Sequence, residues 1–131
     1  MDKKPALDLM MVEEFVGKAH GDLERVKELL TMEPALVNAT WDWGGGDFES
    51  ALGAAGHMGR KDIANYLLDH GARIDIFAAT MLGKLEIVKS VLDIFPETKN
   101  IPGLHEIPLI AHAKAGGAEA QFVLDFLSSL E

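Results

Sequence analysis

The chain predicts an all-α fold, a solenoid of about four helix pairs, and two observations predict it. The first is a recurrence. Four segments open on glycine and continue with acids, lysines and aliphatic residues at helical spacing: GDLERVKELL from Gly21, GRKDIANYLLDHGA from Gly59, GKLEIVKSVL from Gly83 and GGAEAQFVLDFL from Gly116. The second is what precedes each of them: EFVGKAH, SALGAAGHM, IFAATML and PLIAHAKA, short and rich in small apolar residues. One such pair cannot bury its apolar face alone, whereas stacked pairs can.

Taken in order, the first pair opens at Pro5 with Leu7, Met10, Met11 and Phe15 on a helical face, and Glu13, Glu14 and Lys18 form a polar end cap. After Gly21, Leu23, Val26, Leu29 and Leu30 share one face, with Glu24, Lys27 and Glu28 opposite. The second pair starts beyond a glycine-rich loop, with Ser50 as the N-cap. The third repeats the pattern of the first at Leu85, Val88, Val91 and Leu92. The fourth closes the stack with Phe122, Val123, Phe126 and Leu127 turned inward and Asp125, Ser128, Ser129 and Glu131 outward. The single domain covers 1–131, with repeats at about 5–38, 39–73, 74–104 and 105–131.

The turn glycines are 38, 24 and 33 residues apart, scattered about the roughly 33-residue period of ankyrin repeats. The segment SALGAAGHMGRKDIANYLLDHGARID resembles an ankyrin unit at Ser50, Leu52, Ala55, Gly59, Ile63, Leu67, Leu68, Gly71, Ala72 and Asp75. The fourth repeat adds Pro108, Leu109, Ala113, Gly116 and Glu119. The likeness covers about Val12 to Leu130, and its specificity comes from repetition. It implies a concave face, lined by inner helices and projecting finger loops, that binds a protein partner. The departures are specific. The column that holds histidine in the family pattern is occupied by Phe15, Gly53, Phe77 and Ile110. The loop from Asn38 to Ser50 is enlarged, and Asp75 runs almost directly into the third inner helix.

The totals exclude several function classes. A formal net charge of -9 opposes sequence-independent nucleic-acid binding and docking on anionic lipid, and it steers a basic partner inward. No cysteine is present, so disulfides, thiolate nucleophiles and cysteine-ligated zinc are excluded, which suits a reducing cytoplasmic setting. The N-terminal residues lack the pattern of a signal peptide, and no apolar run is long enough to span a membrane. There is no GxSxG, phosphate-binding loop or dinucleotide fingerprint.

The stretch WDWGGGDFES, Trp41 to Ser50, sets both tryptophans beside three glycines. Two readings stay open. In one, Trp41, Trp43 and Phe48 are aromatic anchors on a partner-binding face, flanked by Asp42, Asp47 and Glu49. In the other, the tryptophans fold onto the inner helices and pack there. The resemblance adds the positions before each turn glycine, so His57, Met58, Met81 and Leu82 join the candidate binding set. The function expected is non-catalytic protein binding without a cofactor, toward a basic or apolar partner surface, by a monomer or weak homodimer. The alternative is a metal-dependent or hydrolytic centre, or a small-ligand pocket, in which His57, His105 and His112 converge with Glu49. Of the other histidines, His70 is expected to meet the carbonyl end of its helix and His20 to be a solvated turn residue.

Overall fold

A computed structural model describes residues 3–131. Among them are eight α-helices and one two-stranded antiparallel sheet, so the protein is mostly helical. The helices are α1 (Leu9–Lys18), α2 (Leu23–Met32), α3 (Ala51–His57), α4 (Lys61–Asp69), α5 (Ile76–Met81), α6 (Leu85–Ile94), α7 (Leu109–Ala115) and α8 (Gln121–Ser129). The strands are β1 (Thr40–Asp42) and β2 (Phe48–Ser50). No described helix is long and apolar enough to cross a membrane.

Consecutive helices pack as pairs, α1 on α2, α3 on α4, α5 on α6 and α7 on α8. The first members also pack in series, α1 on α3, α3 on α5 and α5 on α7. Small residues make that series possible: Ala51, Gly53, Ala54, Ala55 and Gly56 of α3 are all buried, as are Ala78 and Ala79 of α5. The second members carry the larger aliphatic residues, including Val26, Leu29, Ile63, Leu67, Val88 and Val123. Each such side chain contributes roughly 1.5–3 kcal/mol on burial. One core cluster spans α1 to α5 and a second spans α5 to α8.

Local chemistry sets the boundaries. Asp8, Asp22, Ser50 and Asp75 each accept a backbone N–H at the start of α1, α2, α3 and α5. Pro34 and Pro96 each open a 3-10 turn directly after a second-member helix, Pro34–Asn38 and Pro96–Asn100. At Gly83, φ is +74°, and a Cβ there would sit 2.1 Å from the Glu119 carbonyl oxygen, so the turn of the third pair lies directly against the fourth.

Three expectations change. The first helix opens at Leu9 rather than at Pro5, because Asp8 caps it there, and Met10 is 78% exposed. Phe122 points outward and is 76% exposed, while Val123 and Leu127 carry the inward face of α8 and Phe126 is half-buried. The wheel places Phe122 one step away from the stripe that meets α7. The enlarged loop is a β-hairpin, which the all-α reading did not include. Its register is Thr40↔Ser50, Trp41↔Glu49 and Asp42↔Phe48. The short connection is as expected: Asp75 ends it and caps α5 at once, its carboxylate accepting Ala78 N–H at 2.8 Å.

Candidate functional site

The hairpin explains the sequence that builds it. Gly44, Gly45 and Gly46 all have positive φ, at +137°, +65° and +90°, so the chain reverses where other residues would be strained. Asp42 anchors the reversal by accepting the N–H groups of Gly44 at 2.9 Å and Gly46 at 3.0 Å. Side chains alternate along each strand. Trp41, Trp43 and Glu49 therefore face the helices, while Asp42 and Phe48 face outward.

The inward face is where the polar groups meet. Glu49 is 0% exposed. Its Oε1 accepts the Trp43 indole N–H at 2.7 Å. His20 Nε2 lies 3.2 Å from the same oxygen. His57 Nε2 lies 3.0 Å and His105 Nε2 3.4 Å from Oε2. The three imidazoles stand in an edge-to-face row, with ring centroids 5.1 Å apart between His20 and His57 and 5.4 Å between His57 and His105. One ligating atom from each of His20, Glu49, His57 and His105 lies within 4.8 Å of the others.

Four separate parts of the chain supply this centre. His20 lies in the turn after α1, and its Nδ1–H donates to the Gly17 carbonyl at 2.9 Å. Glu49 comes from β2, and His57 ends α3. His105 comes from the connection before α7, where it and Glu106 hold left-handed backbone angles, φ 54° and 59°. Such strain in non-glycine residues is kept only where surrounding contacts hold it, and it gathers at functional sites. Asp47 provides those contacts, accepting the His105 backbone N–H at 2.7 Å and also its Nδ1–H. The His105 backbone N–H, then its ring, holds the Asp47 carboxyl below the usual carboxylate range. Gly53 provides the room: a Cβ there would lie 2.7 Å from Leu104 Cδ2, so the missing side chain lets this connection settle on α3.

The expected residues therefore divide. Glu49, His57 and His105 come together, while His112 stays apart. Its ring is fully buried against Phe77, its Nδ1–H donates to the Pro108 carbonyl at 2.9 Å, and its Nε2 has no partner. Burial pushes its pKa down. It fills space beside Gly56, between α3 and α7. His20 is the residue that sequence reasoning missed. It is not merely solvated, because its Nε2 reaches Glu49. A signal was present: His20 and His57 both close the first helix of adjoining pairs, which makes them neighbours in the stack. His70 behaves as expected, with Nδ1–H donating to the Tyr66 carbonyl at 2.8 Å.

The candidate binding set also divides. Met81 is 0% and Leu82 8% exposed, both inside the core, so neither is open to a partner. The turn into α8 packs over Met81, where Gly116 lies close against its carbonyl. Trp41 packs half-buried against the first core cluster. Trp43 is 40% exposed, its ring lying across α1 beside Gly17. Phe48 is 61% exposed, with exposed Asp42 opposite it in the hairpin, and Met58, at the end of α3, is 51% exposed. A cleft of about 560 Å³ opens next to His105, lined by Gly44, Gly45, Gly46, Asp47, Gly103 and Glu106.

Comparison with protein-family models, curated proteins and solved structures found no match.

Proposed function

We propose that the protein is a divergent ankyrin-like repeat stack whose working part is the polar centre beneath the hairpin, and that it binds a small neutral or cationic ligand there. One observation carries this reading: a fully buried carboxylate, Glu49, meets three imidazoles and an indole N–H. Burying a charge costs several kcal/mol, and an apolar residue of similar size would stabilise a plain scaffold as well or better. A scaffold that only stacks helices has no use for this centre. The groups present are those of acid–base chemistry, a carboxylate with imidazoles at hydrogen-bond distance. The net charge of -9 and the acids Asp42, Asp47 and Glu106 repel polyanions and admit neutral or positive ligands. Pairwise and serial packing of the helices, with glycine turns set against the neighbouring pair, supports the ankyrin-like description.

A second reading rests on the outward face. Phe48, largely exposed opposite Asp42 in the hairpin, offers an apolar contact with an acidic edge to a protein partner, and exposed Met58 at the end of α3 offers a second apolar contact. One experiment separates the two. A thermal-shift screen of small amines, amino acids and sugars would compare wild type with Glu49→Gln and with Phe48→Ala/Met58→Ala, each checked for folding by circular dichroism. Compounds that raise the melting temperature of wild type and the surface variant, but not of Glu49→Gln, support the small-ligand reading. No hits, together with affinity capture of a protein that is lost in Phe48→Ala/Met58→Ala, moves function to the outward face.

A further inference from the structure

The geometry points to a divalent transition-metal site, of the zinc type, formed by His20 Nε2, His57 Nε2, His105 Nε2 and the Glu49 carboxylate. The inference deepens the small-ligand reading by naming the group at its centre, and it rests on that reading.

A carbonyl oxygen only accepts, so His20 Nδ1, 2.9 Å from the Gly17 carbonyl, is the protonated nitrogen. Asp47 accepts from the His105 backbone as well as its ring, so His105 Nδ1 is likewise the donor. In the neutral imidazole the other nitrogen then holds a lone pair. For both residues that nitrogen is Nε2, and both Nε2 atoms are directed at Glu49 oxygens, at 3.2 and 3.4 Å. Lone pairs facing carboxylate lone pairs repel. A cation among them turns every contact favourable, and one divalent ion does so for all the donors together.

The dimensions are those of a loosely set cluster. His20 Nε2 lies 3.2 Å from Glu49 Oε1, His57 and His105 Nε2 lie 3.0 and 3.4 Å from Oε2, and one ligating atom from each residue lies within 4.8 Å of the others. A zinc tetrahedron with bonds of about 2.0–2.1 Å has edges of about 3.3 Å, so the side chains close onto the ion as it binds. Three imidazoles with one carboxylate suit zinc, cobalt, nickel or iron(II), whereas calcium and magnesium prefer oxygen ligands throughout. The surroundings are those of a metal centre too. His105 is oriented by a carboxylate and His20 by a backbone carbonyl, which fixes the tautomer that points Nε2 inward. The Trp43 indole holds the carboxylate in turn.

The site also has an accessible side. The side chains of His20 and His105 are 28% and 31% exposed, whereas Glu49 is sealed at the floor. An ion enters between those two rings, and a ligand reaches it by the same route, next to the cleft at Gly44–Gly46.

The test uses the full chain, stripped with a chelator and dialysed. Zinc is titrated by calorimetry, and cobalt(II) is added separately to follow its visible d–d absorption. One equivalent of zinc per chain is expected, with tetrahedral-type cobalt bands that zinc abolishes. His105→Ala, at a loop position, should weaken zinc binding at least about 100-fold, and Asp47→Asn about tenfold through loss of orientation. His70→Ala, remote from the centre, should bind as wild type. If His105→Ala fails to fold, Asp47→Asn and the cobalt spectrum of the wild type still decide. No stoichiometric zinc in the folded wild type, or binding unchanged in both His105→Ala and Asp47→Asn, overturns the proposal. Thermal-shift hits that persist in metal-free wild type would then leave the small-ligand reading standing while the metal falls.

Discussion

The connection between α2 and α3 and the connection between α4 and α5 join equivalent helices by opposite means. The first, residues 33–50, runs through a 3-10 turn and a hairpin, and delivers Glu49, Asp47 and both tryptophans to the helices. The second, residues 70–75, goes straight to the Asp75 cap. The first connection and the third, residues 95–108, meet over α3, where Asp47 touches His105 and Leu104 settles on Gly53. The long connections supply Glu49 and His105 to the site, and the short one supplies none of its residues.

Four substitutions probe that contrast. The largest effect is expected for Glu49→Ala, which leaves the Trp43 indole N–H without its acceptor and a void at the floor of the centre. A loss of about 3 kcal/mol is expected, seen as a melting temperature lower by on the order of 10 °C. A variant as stable as wild type would show that the hairpin holds without its polar floor. Trp41→Ala removes packing between the hairpin and the first core cluster, and chemical denaturation should show a cost of about 2 kcal/mol, below the value for a fully buried tryptophan. Asn38 ties the long connection to the short one, donating to the Gly71 carbonyl at 3.1 Å and accepting Arg73 N–H at 2.9 Å. Its replacement by alanine should cost about 1 kcal/mol and speed amide exchange at Arg73.

The smallest effect is a change of slope. His112 has its pKa lowered, by burial first, with the nearby His57 adding to this and Asp75 and the Pro108 carbonyl opposing it. The unfolded chain therefore binds a proton at this residue more readily than the folded chain does. Its contribution is complete above the ordinary histidine range and is lost as pH falls through that range toward the folded value. Melting temperatures compared at about pH 7.5 and pH 5 should fall less in His112→Leu than in wild type. Equal falls would assign the acid sensitivity to other groups.

The helical pairs, their turn glycines and the small residues of α3 and α5 were legible because periodicity and side-chain size act locally. The Ser50 cap belongs with them, since a cap is a relation between residues three apart, and Asp75 caps α5 in the same way although only its closeness to the third inner helix stood out. The hairpin was less legible: WDWGGGDFES carries a reversal signal, but its strands are short and their alternation is visible only once the register is known. The centre was partly legible. Glu49, His57 and His105 stood out by type, yet nothing in their spacing brings residue 105 to residue 49. That depends on Gly53 yielding space to Leu104 and on the left-handed turn at His105, both tertiary matters. His112 misled for a related reason. It is a histidine where the other first helices carry Gly17, Ala55 and Ala79, and it packs on Phe77 and beside Gly56 rather than joining the polar centre.

The contact between Asp47 and His105 also sets an order in time. Helix pairs form from near neighbours and form early, while loops that close over long stretches of chain come late. As the chain leaves the ribosome, His20, Glu49 and His57 emerge with the first two pairs, before His105. The carboxylate must wait through the whole third pair for its last imidazole. Completion of the polar centre therefore marks completion of the fold, and a chain that stops after α6 carries an unfinished one.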